Sequence, residues 1–600
     1  MSIDKKKLLT TDNLVIVLAI GLLVAWIPLM NKMGWNRPAP VPAPLPVAAT
    51  ATTAVTTAAT VVTAVAAPAV PVAAAAVSVA TGLPVTGETV TLATPEFTAA
   101  IDWKNGLISA VSLLKHKLED RRTPVVLEST GQPLAWLHTA SGTLGGAARL
   151  VSSSAERVVA ERELPGQNLV VRQEWAVATG IPYKLDCKIT LLNRGATPVL
   201  VTDWLLDGGS VTPLLEELKG GFGMPATDAV DVAFADADRS TPYQAAEIRK
   251  IAVDPARSGA MAARPVRWSA VHSKYFVLFV GSGGKELAGI TMRATEMPAS
   301  ADGKIPKHDR LATTLMLTPL TVAPGMAQTL NFAVYAGPKE YTLLRKLDGG
   351  VESILQMDMF MFPSWHVQWM GKIARYILHV MIWVKASVGP VWAYGLAIIL
   401  ITLIVKLLFW PLTHFSTVSM KRMSSLQPLV KDINEKYKDN AQLKQQKIME
   451  LYREHKVNPL MGCLPVLLQI PVFFALYNVF RCSIELRHAN FLWVHDLSQP
   501  DTLAFLPYAD VVPVRPLAIL TIVTMFLQQK LTPSSMDPMQ AKMMMFMTLF
   551  FGFIFYSMPS GLTLYWTVNQ AIGIVQTIIT YKLVKDLHLP HLPQHHAKPA

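Results

Sequence analysis

A lysine stands inside a stretch of chain that is otherwise apolar. Lys406 is the single charge in Val391–Leu412, VWAYGLAIILITLIVKLLFWPL, a run of 22 residues. As helix, at 1.5 Å per residue, this run is long enough to cross a hydrocarbon layer of roughly 30 Å. Thr402 lies one turn earlier on the same helical face and makes that face polar. A cation at such depth costs about 2.5–3.5 kcal/mol on insertion scales, and two placements answer that cost. The stem can carry the ammonium back to an interface, because the run ends about 9 Å of rise beyond it. Alternatively the ammonium faces a wet cavity and attracts acidic groups, which is electrostatic rather than covalent chemistry.

Other polar residues sit at helical spacing inside apolar runs. Trp566, Asn569, Gly573 and Gln576 follow one another at steps of three, four and three, a small-and-polar stripe. Such a stripe lines a groove or cements helix against helix. Gln469 stands mid-way along Leu460–Phe480 and must face protein or water. Cys187, Cys463 and Cys482 lack metal-ligand spacing, and His595-His596 is too small a cluster to hold a metal. No nucleophile motif or phosphate loop stands out, so neither an enzyme nor a cofactor is expected.

These residues need a membrane-embedded scaffold. The 600 residues are 51% apolar with a mean hydropathy of +0.33, too apolar for a fully soluble protein. The formal charge of +12 is spread along segments flanking apolar runs rather than gathered in one basic patch, so no nucleic-acid binding is expected. Residues 1–30 carry Lys5, Lys6 and Lys7 before Asn13–Met30, either a cleaved signal peptide or a retained anchor helix. Residues 31–86 are Ala/Pro-rich and read as a flexible linker.

From 87 to 346 the pattern turns to strands. Tyr183–Leu192 alternates, with Tyr183, Leu185, Cys187, Ile189 and Leu191 on one face. Similar runs, with turn signals such as Asn105-Gly106, predict a large β-sandwich. His272 in it is read as a surface or core-satisfying residue. Residues 351–388 are apolar but punctuated by Arg375, His379 and Lys385, which suits a helix lying in the membrane interface.

Further apolar runs follow Val391–Leu412 at Leu460–Phe480, about Val514–Gln529, Met543–Met558 and Leu562–Leu583. With the first anchor they predict six transmembrane helices, five of them a core over 391–583, and a tail at 584–600. The segment 413–457 carries nine Lys/Arg against five acids, whereas 481–515 carries three against four. The positive-inside rule therefore puts 413–457, as a helical hairpin, and both termini in the cytoplasm. Residues 31–390 are then mainly periplasmic. Leu517–Leu527 and Met543–Met558 are short for spans, so the bilayer should thin beside them.

Within this frame the sequence resembles the YidC insertase family in its six-span Gram-negative form. The carrying residues are Asn458-Pro459-Leu460 leading into GCLPVLLQIPVFFALY, Trp410-Pro411-Leu412-Thr413, Asp537-Pro538-Met539-Gln540, and Pro559-Ser560-Gly561-Leu562 followed by Leu564-Tyr565-Trp566. Tyr335-Ala336-Gly337-Pro338 stands near the end of a region resembling the family's periplasmic β-supersandwich. The resemblance implies a membrane insertase and chaperone of the bacterial inner membrane, working alone or with the Sec translocon. Five helices would surround a hydrophilic groove open to cytoplasm and lipid, with nascent membrane proteins as clients. Membrane lipids would be further partners, and 413–457 would dock ribosome or signal-recognition-particle receptor. Lys406 falls at the groove position where arginine is usual, and Tyr565 and Trp566 fall in the substrate-contacting aromatic region. The implied groove set is Lys406, Thr402, Gln469, Tyr565, Trp566 and Asn569. A transporter or channel, or a membrane-anchored periplasmic carbohydrate-binding protein, is the alternative.

Overall fold

The computed structural model describes residues 88–583 except 129–131, 219–229, 237–238, 300–306, 348, 361, 390–391, 456, 459–463, 507–508 and 532–537. The expected anchor 1–30, linker 31–86 and tail 584–600 lie outside the described residues. So do Pro459, Leu460 and Asp537, which helped carry the family resemblance, and Cys463.

Strict alternation builds the first half. Strand Lys184–Asn193 buries Leu185, Cys187, Ile189 and Leu191 and turns Asp186 and Lys188 outward. It pairs antiparallel on both sides, Ile189 standing opposite Gln173 and Leu330. Burial pushes the Cys187 thiol up to about 12, so it acts as a small apolar side chain. This strand is central in a nine-stranded sheet running from Arg239–Gln244 through Val230–Asp236, Trp268–Ser273, Phe276–Ser282 and Ala327–Pro338 to Lys184–Asn193, Leu169–Val177, Arg157–Leu164 and Ala148–Ser153. A second nine-stranded sheet includes Phe97–Asp102, Leu107–Lys117, Trp204–Ser210 and His308–Leu317. The inner faces form one core, in which Trp175, Trp268, Tyr275 and Tyr335 are fully buried. The turn at Asn105-Gly106 forms at the end of a four-residue loop, 103–106, with Gly106 at φ +74° and Asp102 accepting from the Asn105 amide at 3.0 Å. His272 is a core residue, its Nδ1 3.2 Å from the buried Lys339 ammonium.

The second half is helical. Helix α1 (Gln368–Val388) buries Met370, Ala374, Leu378 and Met381 while Tyr376 and Trp383 stand exposed. Val391–Leu412 differs from the single straight helix expected. Helix α2 (Ala393–Leu408) ends at Phe409, and α3 (Trp410–Ser425) leaves at 61°. Pro411 explains the break: it has no N–H for the Leu407 carbonyl, its ring would clash there, and it suits the first turn of a new helix.

Helices α4 (Gln427–Lys436) and α5 (Ala441–Glu454) form a hairpin with a small core of its own, Leu426, Val430, Leu451, Tyr452 and Val457. Asn440 caps α5, accepting from the Leu443 amide at 2.9 Å. Helices α6 (Leu464–Cys482), α7 (Pro516–Leu531), α8 (Pro538–Tyr556) and α9 (Ser560–Leu583) complete the bundle. Helix α9 is central and packs against α2, α3, α6 and α7. Among the described residues no single helix is long and apolar enough to cross a membrane; the bent pair α2–α3 passes together, and α7 and Met544–Tyr556 are shorter apolar helices.

Candidate functional site

Helix α2 turns Leu403, Ile404, Leu407 and Leu408 outward and its other face toward α9. Lys406 belongs to the second face. Its ammonium rests beside Gly573: a Cβ there would stand 3.4 Å from Nζ and 3.7 Å from Oε1 of Gln528 on α7. Gln576 makes a long contact, 3.5 Å, from Nε2 to the Lys406 carbonyl. Lys406 therefore points into the angle between α2, α7 and α9, not out along the exposed leucines. No carboxylate among the described residues pairs with it.

Thr402, one turn back, is fully buried, and its hydroxyl donates to the Ile398 carbonyl at 2.6 Å. Its polarity is satisfied within its own helix, and it contributes shape rather than a free donor.

Three of the remaining expected residues form a bridge between α6 and α9. Gln469 Nε2 donates to the Tyr565 hydroxyl and, at 3.0 Å, to Asn569 Oδ1. Tyr565 is fully buried and Asn569 nearly so. Burying these groups unpaired would cost about 1–3 kcal/mol each, so mutual satisfaction is what allows them there. Trp566 departs from this cluster. It packs edge-on to Phe473 at 5.5 Å and tilted against Phe555 at 5.0 Å, and its buried Nε1 has no hydrogen-bond partner among the described residues. The structure thus brings Gln469, Tyr565 and Asn569 together, sets Lys406 further along α9 beside Gly573, and places Trp566 in an aromatic cluster.

Several polar contacts on the same helix were not singled out from sequence. Thr521 and Thr567 hydroxyls meet at 2.6 Å, Gln528 Nε2 reaches Thr577 at 3.3 Å, and His414 of α3 stands 3.4 Å from the Thr580 hydroxyl. Together with Asn569 and Gln576 these make α9 polar along much of its buried length. The signal was present as Thr563, Thr567, Thr577 and Thr580, whose hydroxyls are inconspicuous in an apolar run because each can bond its own helix. Such an arrangement lowers the cost of a polar segment entering between helices and offers one uncompensated cation. No group of three or more metal-ligating side chains occurs among the described residues.

Comparison with known proteins agrees with this architecture. The model of the YidC periplasmic domain matches residues 89–360, and that of the 60Kd inner membrane protein family matches residues 383–587. A membrane protein insertase YidC of Pelobacter propionicus is 41% identical over 54% of this chain, and the match spans about half, 55%, of that relative's length. One of Syntrophus aciditrophicus is 30% identical over 83% of this chain and 86% of the relative. A solved structure of an active YidC insertase with its first transmembrane domain resolved is 21% identical, covers 82% of this chain and 93% of its own, and has a TM-score of 0.33. With its periplasmic β-sandwich and helical inner-membrane region, the chain belongs to the YidC membrane protein insertase family.

Proposed function

We propose that this chain inserts membrane proteins into the bacterial inner membrane and assists their folding, alone or beside the Sec translocon. In this reading the space between α2, α7 and α9 is a hydrophilic groove open to the cytoplasm and to lipid. The polar or acidic external segment of a client enters it and is attracted by Lys406, then moves outward as the client's hydrophobic helix enters the lipid. The observation that carries the reading is an ammonium turned toward Gly573 and Gln528, with no carboxylate paired to it among the described residues. A proton-motive force would assist a negative segment by about 2.3 kcal/mol per charge per 100 mV. Gln469, Tyr565 and Asn569 act as the floor that keeps α6 and α9 together, and Trp566 with Phe473 gives an apolar wall.

The topology proposed with it has six spans and both termini cytoplasmic, with residues 31–390 mainly periplasmic. Hairpin 413–457 would meet ribosome or signal-recognition-particle receptor. The distribution of charge supports this, since 413–457 is basic and 481–515 is not.

The test is insertion of a client with an acidic external tail into vesicles holding the purified full chain. Lys406→Ala and Lys406→Glu should lose insertion progressively, and Lys406→Arg should keep it. Equal insertion by Lys406→Glu and the parent chain would remove the electrostatic step.

A further inference from the structure

Arg487, Asn490, His495 and Ser498, in the segment after α6, bond Glu216, Arg121 and Tyr275 of the β-sandwich, and a cleft of about 270 Å³ opens there. It is lined by Lys115, His116 and Lys117 of strand Leu107–Lys117, by Arg121 just beyond it, and by Arg487 and His488 from the loop after α6. An adjoining cleft of about 370 Å³ shares Arg487 and His488 and reaches Glu485, Lys385 at the end of α1 and Trp392 beside the start of α2. The two clefts therefore lie level with the ends of the bundle helices.

Charge in the first cleft is unbalanced. Lys115 is paired with Glu96 at 2.9 Å, and Arg487 with Glu216. Asp120, close in sequence, turns its carboxylate back to the Arg122 and Thr123 amides of its own loop. Among the described residues Arg121 bonds neutral acceptors alone, Asn490 Oδ1 at 3.2 Å and the His495 carbonyl. Lys117 has no ion-pair partner among the described residues. Two positive charges are left over.

Arg487 supplies the second observation. Its side chain is only 3% exposed, and its Nη2 is buried with no hydrogen-bond partner among the described residues. A buried guanidinium donor left open is unfavourable, and it stands at the wall of a cationic hollow. Burial, with Arg487 close by, pushes His116 down to about 4, so its neutral ring can donate to an oxyanion without being a fixed charge.

We propose that this cleft binds a phosphate-bearing anion. Guanidinium, ammonium and neutral imidazole donors converging on one hollow suit the tetrahedral oxygens of a phosphate. Two sources offer that group, a lipid headgroup at the membrane surface and free phosphate. The position beside the helix ends suits the lipid, whose acyl chains would run down the bundle past Trp392.

The test uses the full chain in a neutral detergent, with retained lipid counted by native mass spectrometry. Dioleoylphosphatidic acid and dioleoylglycerol differ only in the phosphate. The parent chain should retain the first over the second, and Lys117→Gln/Arg121→Gln should weaken that preference by about five-fold per cation removed. Lys117→Gln alone leaves the Arg121 contacts intact and keeps the test valid if the double variant fails to fold. Inorganic phosphate added at millimolar levels separates the sources: displacement of the variant-sensitive lipid means the site takes free phosphate also, and no displacement means the lipid is the ligand. Equal retention of both lipids by the parent chain, or an unchanged preference in folded Lys117→Gln, would overturn the proposal.

Discussion

The Lys406 ammonium lies against Gly573, in a gap that a small residue at 573 leaves open. A methyl there would meet Nζ at 3.4 Å and Gln528 Oε1 at 3.7 Å, ordinary contact distances. A branched side chain would need the space the ammonium occupies. The cation and the small residue are therefore one feature built from two helices.

Gly573→Ala should retain most insertion activity, and Gly573→Val should lose about as much as Lys406→Ala. The comparison is made with the acidic-tailed client in vesicles. If Gly573→Val inserts normally, the gap plays no part in the route.

The Gln469 bridge makes an asymmetric prediction about stability. Tyr565→Phe removes an acceptor but leaves Gln469 bonded to Asn569, costing about 1 kcal/mol. Gln469→Leu strands both a fully buried tyrosine hydroxyl and the Asn569 carbonyl, costing about 2–6 kcal/mol at 1–3 per orphaned group. Unfolding in detergent followed by helix signal reads the difference. Equal losses would mean the pair is wet rather than dry.

Glu216 and Arg487 tie the sandwich to the loop after α6, with side chains 5% and 3% exposed. Arg487 also lies 5.7 Å from the Tyr275 ring and 5.8 Å from that of Phe276. Glu216→Gln should destabilise the chain by about 3–5 kcal/mol, because it leaves a buried cation uncompensated. Glu216→Leu/Arg487→Met should cost less than Glu216→Gln alone. Thermal unfolding of the two variants decides it, and a double variant worse than the single would refute the desolvation argument.

How much of this was legible differs by the range of the interaction. Leu185, Cys187, Ile189 and Leu191 declare their sheet face by alternation, since a strand's side chains obey a period of two. The α4–α5 hairpin was readable from a helical period, in the stripes Leu426, Val430, Ile433, Tyr437 and Leu443, Ile448, Leu451, Tyr452, of which Leu426, Val430, Leu451 and Tyr452 are buried in its core. The bend at Phe409 was written in Pro411 but hidden by hydropathy, which counts proline without its missing N–H. Lys406 declared itself as a charge in an apolar run, yet its neighbour Gly573 lies on a helix far along the chain. Gln469 with Asn569, and Glu216 with Arg487, are 100 and 271 residues apart, and neither pair has a local signature. Trp566 shows the opposite failure: one turn from Asn569 on an ideal helix, it turns instead to Phe473 and Phe555, because a large ring takes the apolar side of a shared stripe.

The last prediction concerns Glu485, in the loop after α6. Burial raises its carboxyl from the usual range to about 7, reinforced by Glu340 and opposed by Lys385, and its Oε1 has no hydrogen-bond partner among the described residues. The unfolded chain releases this proton near 4.5 and the folded chain only near 7. Between those values the folded state holds more protons than the unfolded state, so stability falls as pH rises through the window. The slope approaches about 1.4 kcal/mol per pH unit for one proton. Below the window both states are protonated and the carboxyl exerts no penalty; above it the penalty is complete. Glu485→Gln should remove that slope and be more stable than the parent chain at pH 8, with little difference at pH 4. Unfolding midpoints of the two chains across this range provide the measurement, and parallel curves would show that Glu485 ionises freely in the fold.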